Sequence, residues 1–332
     1  MRAYHLTTDS IDGLVPAVHA DPEPGHGEVL LRVEATSLNR RDLVLLGRVP
    51  PCRIPLSDGA GTIVAVGPGV DAWAVGDRVA GCFHPTWTDG PITEGALGAA
   101  LGGTIDGTLT ELMVLSEAAV VATPRGWTAQ ESATLPCAGV TAWNALIEIG
   151  RLRSGDSVLL IGTGVVSVLA LQIAAMLGIR AIVTSGSDEK LAIAADLGAA
   201  ATINTARQAA WHGAVLEQTD GRGVDLVLEV GGPDTFTQSV RSVRFGGTIA
   251  AVGMVSGDSV CKPRHLIERA LSVHGVRVGS RRMFQNLVAA IDEGGLVPLI
   301  DRVFGFDEPQ AAYHRLAGVG HVGKLVIDVT AG

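Results

Sequence analysis

One stretch of the chain, SVLLIGTGVVSVLALQIAAMLGI at residues 157–179, has no charged side chain and is long enough to cross a bilayer as a helix. The pattern after residue 155 favours another interpretation, because the strand-like segments SVLLIG, RAIVTS, AATINT, VDLVLEV and GTIAAVG alternate with helical patterns such as DEKLAIAADLG. This alternation is typical of a doubly wound parallel sheet. We therefore predict an α/β fold with a buried strand at 157–161, a turn at 162–164 and a buried helix at 165–177, and no membrane span.

The first 125 residues follow a different pattern, in which short apolar alternations such as GEVLLRVEA and GAGTIVAVGPGV are separated by Gly, Pro and Asp. Brief strands with these breaks predict a partly closed antiparallel β-barrel. The segment LSVHGVRVG is expected to extend the parallel sheet, and the late helix RRMFQNLVAAIDEG and the final strand GKLVIDV to return to the barrel. We therefore expect one domain at 1–125, completed by 279–332, and a dinucleotide-binding domain at 126–278.

Composition narrows the possible partners. Hydrophobic residues make up 47% of the chain and aromatic residues only 4%, with 43 glycines, which favours a soluble protein with small-residue packing. The net charge is −9 and no basic run is present, so we expect no nucleic-acid partner. The predicted doubly wound sheet leads us to expect a small-molecule substrate and no membrane partner. The N-terminus lacks the apolar core of a signal peptide, so a cytoplasmic location is expected. The four cysteines form no CxxC pair and are expected to be reduced and mostly buried.

A glycine turn follows the first strand of the predicted parallel sheet. GTGVVS matches the first two glycines of a dinucleotide fingerprint, with Ser167 at the third position. Gly162 would permit the tight turn, and Gly164 would let a pyrophosphate reach the free N–H groups of the following helix. The predicted cofactor contacts in this turn are Gly162, Thr163, Gly164, Val165 and Val166.

The end of the next strand favours NADPH over NADH. NAD-binding sheets usually carry an Asp or Glu there, whereas VTSGSDEK offers Ser185 and Ser187, which do not repel a 2′-phosphate. Asp188 and Glu189 are expected in the first turn of the next helix, where negative side chains interact favourably with the helix dipole. Lys190 is a candidate contact to this phosphate. A lysine on an exposed helix face without a functional contact is an equally good interpretation.

Together these motifs resemble the medium-chain dehydrogenase/reductase superfamily. The likeness covers nearly the whole chain, through EVLLRVEATSLNRRDL, DGAGTIVAVGPGV, GDRVAG, SATLPCAGVTAWNAL, the GTGVVS turn and the closing GKLVI. It implies a GroES-like catalytic domain followed by a Rossmann domain, and the chain looks most similar to the zinc-free, quinone-oxidoreductase-like branch. It also implies a homodimer formed through the edge strand of the Rossmann sheet, expected at LSVHGVRV.

The resemblance bears on zinc as well. It places Asn39, Asp58 and Cys137 where the zinc alcohol dehydrogenases have the cysteine, the histidine and the third ligand of their catalytic metal. A neutral amide binds zinc poorly, and one carboxylate with one thiolate does not complete a three-ligand site. The four-cysteine structural lobe is missing too, so no bound metal is expected.

Several more cofactor contacts are carried over from the family. Arg40 stands where relatives often keep a basic residue near the pyrophosphate. The alternative is a surface position without a cofactor contact, and this alternative has more weight for its neighbour Arg41 than for Arg40. Thr141 matches a threonine that touches the nicotinamide ring, with a helix cap as the alternative. Lys324 resembles a lysine near the cofactor, with a rim charge as the alternative. Strand ends add the backbone candidates Gly231, Val252, Gly253 and Met254.

The sequence thus predicts an NADPH-dependent, zinc-independent oxidoreductase that transfers a hydride to an activated alkene, a quinone or a related carbonyl. Asn39 is the candidate donor to the developing oxyanion, or else it holds its own loop. In the first alternative, an alcohol dehydrogenase without the usual zinc set, Asp58 or a water moves the alcohol proton. The second alternative is a non-catalytic NADPH-binding protein. His84 lies in a loop expected to face the substrate, or is packed, and Asp42 is expected to be a structural ion-pair partner.

Overall fold

The computed structural model describes residues 1–253 and 263–331, which form two compact units. The barrel unit comprises Met1–Val140, Gly279–Glu293 and Pro298–Gly332, and the parallel-sheet unit comprises Thr141–Val278 and Gly294–Val297. Met254 and Cys261 lie outside the described residues.

The strands are β1 (Arg2–Leu6), β2 (Leu14–Val18), β3 (Glu28–Ser37), β4 (Asp58–Val66), β5 (Arg78–Gly81), β6 (Leu112–Ser116), β7 (Val120–Ala122), β8 (Ser157–Leu160), β9 (Arg180–Ser185), β10 (Ala201–Asn204), β11 (Val224–Glu229), β12 (Val243–Ala251), β13 (Ser272–Gly275), β14 (Ile300–Gly305) and β15 (Lys324–Asp328). The α-helices are α1 (Arg40–Val44), α2 (Glu94–Gly98), α3 (Ala129–Ser132), α4 (Val140–Trp143), α5 (Val165–Met176), α6 (Asp188–Asp196), α7 (Trp211–Glu217), α8 (Pro233–Ser242), α9 (Pro263–Arg269), α10 (Arg281–Gly294) and α11 (Pro309–Ala317).

The barrel unit is built on β3, which pairs antiparallel with β4, β6 and β15. Val29, Leu31 and Val33 of this strand are at most 1% exposed, because alternate residues of a strand point to the same face. The predicted antiparallel strands and the return of the final strand are confirmed. The prediction did not include β14, which pairs parallel with β15 and places one more strand at the edge of this sheet.

The parallel-sheet unit contains six parallel strands in the order β10-β9-β8-β11-β12-β13. β8 lies inside this sheet, and Val158, Leu159 and Leu160 are fully buried. The uncharged stretch is therefore a buried strand and the buried helix α5, as predicted, since both are covered by neighbouring elements. Among the described residues, no helix combines the length and the apolarity that a membrane crossing requires.

Candidate active site

A lysine with no solvent exposure lies at the centre of the candidate site. Strand pairing brings its surroundings together: Ser37 at the end of β3 pairs with Asp58 at the start of β4 and with Val326 of β15. The Lys324 ammonium donates to Leu38 O at 3.0 Å, to Asn39 Oδ1 at 2.9 Å and to Asp58 Oδ2 at 3.0 Å. Its three protons thus meet three acceptors, so Lys324 is not a rim charge.

Asp58 is the counter-ion of this lysine and is also fully buried. Its Oδ1 accepts from Ser57 Oγ at 2.8 Å, while Oδ2 takes the ammonium. Ser37 Oγ lies 3.4 Å from Oδ2 but 2.6 Å from Ala133 O, and its single proton belongs to the shorter bond. Both carboxylate oxygens therefore already accept hydrogen bonds inside the protein, which leaves Asp58 poorly placed to take a proton from an alcohol.

The Asn39 amide has one end paired and one end unpaired. Because an ammonium only donates, the amide atom facing Lys324 must be the oxygen. The side-chain nitrogen Nδ2 is buried and has no hydrogen-bond partner. A buried donor without an acceptor is costly and rare, so this amide group is a candidate for contact with an acceptor that the protein does not supply.

Helix α1 begins directly after this amide. Asp42 Oδ2 accepts from the Asn39 backbone N–H at 2.7 Å and fixes the start of the helix. Its Oδ1 has no hydrogen-bond partner, and Arg41 Nη1 lies 3.7 Å away. Burial raises the pKa of Asp42 to about 6, against the lowering effect of the Arg41 charge. Asp42 has the structural role that the sequence predicted.

The two neighbouring arginines differ in exposure and in contacts. Arg41 donates to Leu101 O at 2.9 Å, and its guanidinium carbon lies 4.5 Å from the centre of the Phe83 ring. Arg40 is exposed. For Arg41 the surface alternative does not hold, because its guanidinium contacts a carbonyl and an aromatic ring.

The donor atoms at the three positions that align with zinc ligands show whether a zinc ion would fit there. Lys324 already occupies Asn39 Oδ1 and Asp58 Oδ2, and an ammonium at that point excludes a second cation. Burial raises the pKa of the Cys137 thiol, whereas zinc requires a thiolate. In the described ranges, no group of three or more His, Cys, Asp or Glu side chains is arranged to hold a metal ion. These donors do not fit a three-ligand catalytic zinc.

His84 is packed and does not present a free ring to a substrate. It is 5% exposed, and its Nδ1 donates to Ala99 O at 3.0 Å. The rings of Phe83 and Trp87 lie 4.7 Å and 6.3 Å from its own ring. The packed alternative is therefore the right one for this histidine.

The predicted dinucleotide turn lies in the parallel-sheet unit. Gly162 has φ +71°, a conformation that favours glycine, and its N–H donates to Thr184 Oγ1 at 3.2 Å. Gly164 caps α5 with φ −72°, and a Cβ atom there would meet no protein atom within 4 Å. Internal packing does not require glycine at this position, so a close approach from outside explains it better. Thr163 lies between the glycines, and Val165 and Val166 open the helix, where backbone N–H groups lack intrahelical acceptors.

The end of β9 carries the serines expected near the adenosine ribose. Ser185 Oγ accepts from the Ser187 N–H at 3.3 Å, and Ser187 caps α6 by accepting from the Lys190 N–H at 3.4 Å. Asp188 and Glu189 lie in the first turn of α6, as predicted. Asp188 also accepts hydrogen bonds from Asn204 Nδ2 at 2.6 Å and from the Arg207 guanidinium, and no local sequence pattern indicated these contacts.

A buried carboxylate that the sequence analysis missed organises the remaining strand ends. Glu229 Oε1 accepts from the N–H groups of Gly231 and Gly232 at 2.8 Å and 3.0 Å. The Glu229 carbonyl accepts from the Val252 N–H at 2.9 Å and lies 3.4 Å from the Gly253 nitrogen. The sequence signal that could have identified Glu229 is an acidic residue at the end of an apolar strand, directly before Val230 and two glycines. The backbone candidates Gly231, Val252 and Gly253 are therefore all held by Glu229.

Thr141 is 3% exposed and is the second residue of α4. The helical residues Leu135–Gly139 directly precede this helix, so Thr141 does not lie at a helix start and is not an N-cap.

Comparison with known proteins gives matches to two domain families. Residues 25–125 match the family described as "Alcohol dehydrogenase GroES-like domain", and residues 165–293 match the family described as "Zinc-binding dehydrogenase". A zinc-type alcohol dehydrogenase-like protein of Schizosaccharomyces pombe is 38% identical over 99% of this chain and 100% of its own length. An acryloyl-coenzyme A reductase of Sulfurisphaera tokodaii is 26% identical over 92% of this chain and 94% of its own.

Solved structures give the same architecture. A protein of Sinorhizobium meliloti 1021 described as an alcohol dehydrogenase superposes with a TM-score of 0.92 and 38% identity over 99% of both chains. An NAD-dependent alcohol dehydrogenase gives 0.90 and 31%, over 99% of this chain and 100% of its own. A mycobacterial protein in complex with NADPH gives 0.81 and 27% over the same shares. The predicted combination of a GroES-like domain and a Rossmann domain is confirmed.

Proposed function

Because this chain belongs to the medium-chain dehydrogenase/reductase superfamily, an oxidoreductase family, we propose that it is an NADPH-dependent, zinc-independent reductase of an activated alkene, a quinone or a related carbonyl. The observation that carries this proposal is the Asn39 amide, whose oxygen is held by Lys324 and whose buried Nδ2 has no partner. It stands where the sequence resemblance places the metal of the zinc enzymes. A relative named as an acryloyl-coenzyme A reductase agrees with alkene reduction.

When bound, NADPH supplies a hydride to the electrophilic carbon of the substrate, and negative charge develops on the substrate oxygen. Asn39 Nδ2 donates to that oxygen. Because the amide is already held in place, no reorganisation is needed as the charge develops. The net reduction also consumes one proton, which we assign to water, since the Lys324 ammonium and both Asp58 oxygens are engaged with each other and with protein groups.

Cofactor binding is assigned to the turn after β8 and to the end of β9. The N–H groups at the start of α5 suit a pyrophosphate, and Ser185 and Ser187 suit a 2′-phosphate. The proposed cofactor contacts are Arg40, Thr141, Gly162, Thr163, Gly164, Val165, Val166, Ser185, Ser187, Lys190, Gly231, Val252 and Gly253. Solved relatives include both an NAD-dependent enzyme and an NADPH complex, so titration of both cofactors decides this point.

We also propose a cytoplasmic homodimer. β13 is the edge strand of the parallel sheet, and all four of its residues are exposed. An unpaired edge of this kind can continue into the same strand of a second copy. Sedimentation of the purified protein would show twice the chain mass if this is right.

Zinc content and activity test the proposal together. The purified protein should carry no stoichiometric zinc, and NADPH oxidation with an enone or quinone should survive chelation. One zinc per chain, with alcohol oxidation lost to a chelator and restored by zinc, would instead establish the alcohol dehydrogenase alternative, which the names of two relatives favour.

A further inference from the structure

We infer that Lys324 is a positioning residue: together with Asp58 it fixes the Asn39 amide so that Nδ2, and not Oδ1, faces the substrate oxygen. This inference rests on the proposed function, because it concerns the same amide. It assigns to Lys324 a task different from the cofactor contact that the sequence suggests.

The need for such a residue follows from the symmetry of an amide. Its oxygen and nitrogen are nearly equal in size, so an asparagine held only through its backbone can present either one. An oxyanion requires the nitrogen, and a flipped amide would present an oxygen and repel it. With Lys324 Nζ at 2.9 Å, the flipped amide would place its NH₂ against an NH₃⁺ group. Two donors cannot pair, so the ammonium selects one orientation.

Lys324 is fitted for this task and for little else. Its side chain has zero exposure, and its three protons point to Leu38 O, Asn39 Oδ1 and Asp58 Oδ2. No proton remains for a cofactor phosphate. Asp58 supplies the counter-charge that a buried ammonium needs, and Ser57 Oγ holds the other oxygen of that carboxylate at 2.8 Å.

The arrangement is more than a structural ion pair, because of what it leaves unpaired. Buried ion pairs bring little net stability over apolar side chains of the same volume. This pair additionally holds an amide whose Nδ2 is buried without an acceptor, which is a cost to the folded protein. A purely structural cluster gains nothing from that donor, whereas a donor for a ligand explains it.

A double-mutant cycle tests the inference on the full chain. The variants are Asn39→Ala, Lys324→Met and the double variant, assayed with NADPH and an enone. If Lys324 acts through the amide, Asn39→Ala lowers kcat by roughly ten- to a thousandfold in the wild-type background and by less than about threefold in Lys324→Met. NADPH affinity stays within about threefold in all four proteins. If the kcat loss of the double variant equals the product of the two single-variant losses, the inference is overturned.

Two further variants separate positioning from damage to the fold. Leu325→Ala removes a buried side chain from the same strand and leaves the ammonium in place, so it should lower Tm without lowering kcat. Lys324→Gln retains a neutral donor and should recover part of the kcat that Lys324→Met loses, even if the latter folds poorly. Equal kcat losses in Leu325→Ala and Lys324→Gln would show that general destabilisation is responsible.

A readout without turnover keeps the inference distinct from the proposed function. The chain has four asparagines, so selective ¹⁵N-asparagine labelling gives four side-chain amide signals, and Asn39→Ala identifies one. In the wild type that amide should exchange its protons slowly, and in Lys324→Gln faster. If no substrate is reduced but this difference appears, the proposed function fails and the positioning role stands. An Asn39 signal that is the same in both proteins would refute the positioning role.

Discussion

Each unit contains an aspartate paired with basic side chains, and the two clusters differ in exposure and in what they leave unpaired. In the parallel-sheet unit, Asp225 accepts from Ser157 N at 2.9 Å and Ser157 Oγ at 2.8 Å, and from Arg222 and Arg244 at 2.7 Å each. The side chains of these arginines are 58% and 34% exposed. Every polar contact of this carboxylate is met inside the protein, so the cluster needs only a structural explanation.

The barrel unit shows the opposite arrangement. Lys324 and Asp58 are both fully buried, and the amide they hold ends in an unpaired donor. The Asp225 carboxylate has its contacts inside the protein, as a cluster that stabilises the fold would, whereas the buried Asn39 Nδ2 has no acceptor among the described residues. This difference supports the proposal of a catalytic role for Asn39 and a stabilising role for Asp225, and each role can be tested separately.

The largest expected effect is on catalysis. Asn39→Ala should lower kcat toward an enone or quinone by roughly ten- to a thousandfold, because one oxyanion donor is lost, while the NADPH dissociation constant hardly changes. Steady-state kinetics and cofactor titration measure both values. The control is Asn286→Ala, which removes the same amide from an exposed position of α10 and should leave kcat unchanged. An unaffected Asn39 variant would return this residue to a purely structural role.

The second prediction concerns Asp42 of the barrel unit, whose Oδ1 has no hydrogen-bond partner and lies 3.7 Å from Arg41 Nη1. Burial raises the pKa of Asp42 to about 6, so the Asp42 carboxyl holds its proton more tightly in the folded chain than in the unfolded chain. The unfolding free energy should therefore fall as pH rises from about 4 through about 6, by up to about 3 kcal/mol from this group. Asp42→Asn should lack that fall in urea titrations at the two ends of the range. Parallel pH profiles of variant and wild type would contradict the assignment.

A third prediction places a new charge in the parallel-sheet unit. Ser185→Asp should reverse the preference from NADPH to NADH, since repulsion of the 2′-phosphate supplies about 1 to 3 kcal/mol. Titration of both cofactors against both proteins gives the four constants. If the wild type already binds NADH more tightly, the interpretation of the β9 end is wrong.

The smallest effect is expected at Asp225, where a structural role predicts a change in stability alone. Burial raises the pKa of Asp225, but the bonds from Arg222, Arg244 and Ser157 outweigh it and lower the pKa below its usual range. The stability it provides is present above about pH 4 and is lost as pH falls further. Asp225→Asn should lower the unfolding free energy at neutral pH by about 1 to 2 kcal/mol and leave kcat unchanged. A reduced kcat in this variant would undo the contrast between the clusters.

Local patterns in the sequence were enough to predict much of the fold. Apolar runs and the glycine pair place β8, the turn and α5 correctly, because a buried parallel strand needs a continuous apolar segment. Residue types identified Ser185 and the dinucleotide turn as candidates, whereas Asn39 was identified through the family resemblance. β14 was missed, since its sequence IDRVFG alternates weakly and its partner lies at the end of the chain.

Contacts between distant residues account for most of the remainder. The burial of Lys324 depends on Asp58, 266 positions away, and nothing in GHVGKLVI distinguishes it from a surface lysine. The packing of Arg41 depends on the carbonyl of Leu101, 60 positions away. The strand pairing of the whole unit determines which residues become partners, so these contacts could not be predicted from local patterns in a single sequence.

If the Asn39 amide, and no metal ion, contacts the substrate oxygen, the carbonyl stretch of a bound substrate reports on that contact directly. Infrared difference spectra of a ¹³C-carbonyl enone bound with NADP⁺ should show the stretch shifted to lower frequency than in water, because a fixed donor polarises the bond. The shift should persist after chelation and vanish in Asn39→Ala. A shift that remains in Asn39→Ala, or one that chelation abolishes, would contradict the account.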